Sequence, residues 1–166
     1  MLISFIDRIN QIIAKATSWL VLALILELVY DTIMRYLFNV AVVWSYDISY
    51  MIYGIIFMLS VPYVEKMDKH VRIEILYDRL SKKMKAFLDI IGYFLLYLPS
   101  SLVLLYFGWK FFWESYTLKE VSGASMWAAP IYPFKFIIPL TGALLLLQTI
   151  SEIMKRILII KGKTER

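Results

Sequence analysis

Glu27, Asp31 and Arg35 recur at four-residue intervals inside an apolar run, which sets three ionisable groups on one face of a helix. Charged groups at membrane depth are costly and normally face protein or water. Two roles are open to such a stripe: an ion or proton path, or a polar seam that fixes how helices or subunits pack. Asp31 can pair with Arg35, and Arg35 can extend its head toward water, which leaves Glu27 as the least compensated group. One carboxylate without an evident partner makes a poor pathway, so the packing seam is the preferred reading.

The other reactive residue types are sparse. With no cysteine in the chain, thiolate nucleophiles, disulfides and thiolate metal sites are excluded. His70 is the single histidine and falls in a loop, so neither a paired-histidine haem site nor a zinc site is expected. The serines of Ser122-Gly123-Ala124-Ser125 have no candidate base, and there is no glycine-rich phosphate loop. A non-enzyme that needs no cofactor is the expectation. Asp47, Asp89 and Lys135 lie near span ends, where simple solvation explains them, and Glu114, Lys119 and Glu120 read as solvated loop charges.

The elements that carry these residues are set by the solvent. Hydrophobic residues make up 61% of the 166-residue chain, well above the roughly 45–50% of soluble domains. The expected fold is all-α and integral to the membrane, a single membrane domain over residues 1–166. Four spans cover approximately residues 16–38, 43–64, 87–108 and 131–154. Residues 1–15 place Phe5, Ile9 and Ile12 at helical spacing among polar residues, an amphipathic lead-in expected to lie on the membrane. The first span lacks a small-x-small cleavage site and reads as an uncleaved anchor. Pro99, beside Ser100 and Ser101, is expected to kink the third span, with neighbouring helices absorbing the defect. Pro130 and Pro133 open the fourth.

Lysine and arginine set the orientation. They crowd the N-terminal segment (Arg8, Lys15), the loop between spans two and three (Lys66 to Lys85) and the C-terminal end (Lys155 to Arg166). Arg35, Lys110, Lys119 and Lys135 remain for the opposite face, so both termini are expected in the cytoplasm. Trp44, Trp109, Trp113 and Trp127 gather with Tyr36, Tyr46, Tyr116 and Tyr132 at the outer ends, as headgroup anchors do. The net charge of +5 therefore reports topology and contacts with membrane lipids; no nucleic acid is implied. Between spans two and three, charged and apolar residues alternate in a cytoplasmic interfacial segment leading into span three.

Several stretches in order resemble one family. Arg35-Tyr36-Leu37-Phe38-Asn39, Trp44-Ser45-Tyr46-Asp47, His70-Val71-Arg72-Ile73-Glu74 and Leu76-Tyr77-Asp78-Arg79-Leu80 are followed by Ser122 to Ser125, Pro130, and Pro139 through Gln148. Together they resemble the small membrane subunit, or Q subunit, of tripartite ATP-independent periplasmic (TRAP) transporters. Members of that family often carry an acidic pair after Trp-Ser, where this chain has Tyr46 and Asp47. The resemblance implies an inner-membrane secondary transporter that uses an ion gradient, commonly sodium, to import organic acids such as carboxylates or sialic acid. It also implies two partners: a large membrane (M) subunit that carries the transport sites and a periplasmic substrate-binding protein that delivers substrate. This chain would be the static scaffold. Candidates for subunit or lipid contact are then Glu27, Asp31, Arg35, Trp44, Asp47, His70, Arg72, Glu74 and Arg79. Two alternatives stand beside this reading: an independent small homo-oligomeric transporter using Glu27, and a cofactor-free anchor for another membrane complex.

Overall fold

A computed structural model describes residues 2–67 and 81–162 of the chain, and nearly all of them are helical. A backbone in lipid has no water to bond to, so each crossing must close its hydrogen bonds internally as a helix. Four helical stretches are long and apolar enough to cross a membrane. They begin with α1 (Leu2–Leu37) and α2 (Ser45–Lys66). The third combines α3 (Lys82–Gly92), a π-helical turn (Tyr93–Tyr97) and α4 (Leu98–Thr117). Short α5 (Tyr132–Lys135) and long α6 (Ile137–Ile160) form the fourth.

Helix α6 is the hub. Half of its most apolar window is buried inside the chain, against 11% for each of the other three crossings. It packs on α1, α2, α3 and α4, while α1 and α2 also pair with each other. Small residues permit the closest approach: a Cβ added at Gly142 on α6 would lie 2.6 Å from the backbone N of Leu105 on α4. One added at Gly108 on α4 would lie 2.8 Å from Ile138 Cγ2 on α6. Backbones this near exchange dispersion along their length, the usual basis of helix association where lipid is as apolar as the side chains.

Two parts of the chain run differently from the sequence expectation. Residues 2–15, expected to lie on the membrane, instead continue without a break into a 36-residue helix. At 1.5 Å per residue this is about 54 Å, far more than the ~30 Å hydrocarbon layer. Ile3, Ile6 and Asn10 are buried within the chain, and polar bonds to α6 fix this stretch in place. The Pro99 defect is absorbed within its own helix. The π-helical turn precedes the proline, and Ser100 Oγ and Ser101 Oγ donate to the carbonyls of Leu96 (2.5 Å) and Leu98 (2.8 Å).

Helix ends carry local signals. Helix α4 ends at Thr117, and Lys119 just beyond it has a left-handed φ of 47°. The amides of Lys119 and Glu120 turn back to the carbonyls of Tyr116 (3.3 Å) and Ser115 (3.0 Å), a Schellman cap. Ser81 Oγ accepts from the Met84 amide at the start of α3. The bundle thus has a termini end, where α1 begins and α6 finishes, and a loop end, where α1 passes to α2 and α4 to α5.

Candidate functional site

At the loop end, each buried acid meets a pair of donors. Glu27 on α1 faces Ser45 and Ser49, which lie one turn apart on α2. Ser45 Oγ donates to Glu27 Oε1 at 2.5 Å, and Ser49 Oγ lies 2.7 Å from Glu27 Oε2 and 2.6 Å from the Ser45 carbonyl. Glu27 is therefore compensated, contrary to its reading as the least compensated group of the stripe; its donors are on the next helix. Asp31 and Arg35 do pair, at 2.9 Å, with the Arg35 side chain 59% exposed.

Asp47 gives the largest correction at this end. Expected to reach water, it is fully buried, and its two carboxylate oxygens accept from Ser122 Oγ and Ser125 Oγ. The same two hydroxyl oxygens accept from the amides of Ala124 and Trp127, so one buried acid organises the whole turn. A bridge between Val121 and Pro130 and the bond from the Ser122 amide to the Ala129 carbonyl (2.7 Å) close the loop. Lys135, also expected in water, is buried, ion-paired with Glu120 and set 3.9 Å from the centre of the Phe111 ring. The Lys135 ammonium holds the Glu120 carboxyl below the usual carboxylate range. Trp44 stacks on Tyr30 with ring centroids 5.8 Å apart, and Tyr116 meets Tyr132 edge-on, so part of the aromatic belt packs between helices.

At the termini end the polar groups form one network. Gln148 of α6 uses its whole amide: Oε1 accepts from Asn10 Nδ2 at 2.7 Å, and Nε2 donates to Asp7 and Glu152, both at 3.0 Å. Lys155 Nζ lies 2.7 Å from both Asp7 Oδ2 and Glu152 Oε1, and Lys66 Nζ donates to the Asp7 carbonyl and to Gln11 Oε1. Three helices are thus tied together within the bundle. Asp89 of α3, expected to be solvated, pairs instead with Arg156 of α6 at 3.2 Å. Glu65 near the end of α2 is 1% exposed and accepts from Thr149 Oγ1 at 2.8 Å.

Chemically, this arrangement holds helices: its acids are engaged by hydroxyls, amides and ammonium groups from neighbouring elements. The family model described as tripartite ATP-independent periplasmic transporters, DctQ component, matches residues 11–158. The chain belongs to that family. It is a multi-pass inner-membrane protein and a TRAP transporter small subunit, in a family of transporter subunits and not of enzymes. No curated protein matches the chain.

Of the candidate contact residues in this DctQ chain, the structure brings Glu27, Asp31, Arg35 and Trp44 to the α1–α2 hairpin and Asp47 beneath the α4–α5 loop. His70, Arg72, Glu74 and Arg79 lie outside the described residues. Asn10, Glu65, Gln148, Thr149, Glu152 and Lys155 are not among the candidate contact residues. A signal was present: Gln148, Glu152 and Lys155 recur at spacings of four and three on one face of α6, as Asp7 and Asn10 do on α1.

Proposed function

We propose that this DctQ chain is the static scaffold of its transporter: it supports a large membrane (M) subunit that carries out ion-gradient-driven uptake of an organic acid delivered by a periplasmic substrate-binding protein. The observation that carries this reading is the use of the chain's buried and half-buried acids. Glu27 is closed by Ser45 and Ser49, Asp47 by Ser122 and Ser125, and Asp7 by Lys155 and Gln148, each joining one element to another. Groups so engaged favour rigidity over ion passage. Broad apolar surfaces on α1 and α4 remain for lipid and for the larger partner.

In this reading residues 1–166 are one membrane domain with the termini end in the cytoplasm, following the concentration of lysine and arginine there. The loop end, with Asp47 and its serines, then faces the periplasm and the binding protein. Glu27, Asp31, Arg35, Trp44 and Asp47 act chiefly by keeping this chain's own surface in shape. His70, Arg72, Glu74 and Arg79 are proposed for subunit or lipid contact on the cytoplasmic side.

Reconstitution separates this from an independent transporter using Glu27. Liposomes holding this chain alone are expected to show no gradient-driven organic-acid flux, and flux should appear when the large subunit and binding protein are added. Glu27→Gln should leave the assembled flux within about twofold of the unaltered complex. Reproducible flux from the chain alone, lost in Glu27→Gln, would overturn the scaffold role.

A further inference from the structure

The cleft beside α2 at the termini end has a feature that the internal network does not use. It encloses about 460 Å³ and is lined by Ile56, Phe57, Val61 and Val64, with Ser60, Glu65 and Tyr97. Ser60 returns its hydroxyl to the Ile56 carbonyl of its own helix. Glu65 behaves differently: Oε1 accepts from Thr149, while Oε2 is buried with no hydrogen-bond partner among the described residues.

A buried carboxyl oxygen without a donor loses its hydration and gains nothing in return, which costs more than an ordinary hydrogen bond gives. The neighbouring acids do not share this condition, since Lys155 reaches Asp7 and Glu152. Among the described residues Glu65 Oε2 therefore has no donor, and Glu65 lines a mainly apolar cleft that is open on the surface of α2.

We propose that this cleft receives a hydrogen-bond-donating side chain from a transmembrane helix of the large subunit, with Glu65 Oε2 as its acceptor. The inference rests on the scaffold reading and adds a place of contact to it. Helices in lipid gain little from apolar burial, so a polar contact inside a fitted apolar groove supplies what packing alone does not. A lipid amine suits the site less well. A headgroup that stays in water would have to leave it to enter a cleft lined mainly by apolar side chains.

The test uses the assembled complex in membranes. A benzophenone-bearing residue replaces Phe57, which is 61% exposed on the rim of the cleft. Irradiation is expected to join this chain to one transmembrane segment of the large subunit, located by peptide mass spectrometry. Glu65→Met keeps the volume but removes the acceptor, and should lower the recovered large subunit roughly tenfold. Glu65→Gln keeps an accepting oxygen and should restore most of that recovery. Attachment confined to lipid or to this chain overturns the proposal, as does undiminished recovery with Glu65→Met. The Phe57 probe leaves Glu65 intact, so its result stands even if the Met variant folds poorly. Absence of the large subunit with the unaltered chain would instead remove the scaffold reading itself.

Discussion

The two ends of this DctQ bundle solve the same problem differently. At the loop end each of the two buried acids has its own pair of hydroxyls: Ser45 and Ser49 serve Glu27, and Ser122 and Ser125 serve Asp47. These units are local, and each joins two adjoining elements. At the termini end Asp7, Asn10, Gln148, Glu152 and Lys155 share partners across α1 and α6, with Lys66 of α2 attached. Separate units can fail one at a time, whereas a shared network couples its members. The loop end is thus built to hold a folded loop against the bundle, and the termini end to keep the helices in register.

Substitutions at the two ends should therefore differ in reach as well as size. Asp47→Ala strips the acceptor from two hydroxyls and should cost about 3 kcal/mol, the largest single effect. Amide exchange should show the change concentrated in residues 120–131, with α1 and α6 unchanged. Gln148→Leu should cost about 2 kcal/mol and act broadly, lowering the thermal unfolding temperature and exposing the first turns of α1 to protease together with the end of α6. A confined effect from Gln148→Leu, or a global one from Asp47→Ala, would break the contrast.

The smallest effect is a pH response at the loop end. The carboxyl of Glu120 titrates lower in the folded chain than in the unfolded one because of Lys135. Its stabilising contribution is then present above the ordinary carboxylate value and is lost as pH falls through the lowered one. After correction for intrinsic rates, amide exchange in the α4–α5 loop should stay slow above about pH 5 and quicken only below about pH 4. Lys135→Met should remove that acid transition, while exchange in the Gln148 network is followed as the internal comparison.

The four crossings were legible because lipid imposes one rule on all of them, long apolar helices, whatever they pack against. The Asp31–Arg35 pair was legible because its spacing of four places both groups on one helix face. The Asp47 contacts were not, since Ser122 and Ser125 are 75 and 78 positions away and only the folded loop brings them near. Glu27 lay between these cases. Ser45 and Ser49 form their own stripe at a spacing of four, and facing stripes on consecutive helices would have suggested the match. Sequence position placed Asp47, Asp89 and Lys135 near span ends and hence near water, but burial is decided by what folds over an end. The α4–α5 loop covers Asp47, and Arg156 pairs with Asp89.

The most direct measurement of the scaffold role is purification in a gentle detergent through a tag on this chain, with mass spectrometry of everything that accompanies it. A much larger polytopic membrane protein should be recovered in fixed proportion, and it should remain bound when Asp47→Ala loosens the loop. Recovery of this chain alone under several mild conditions would contradict the scaffold role.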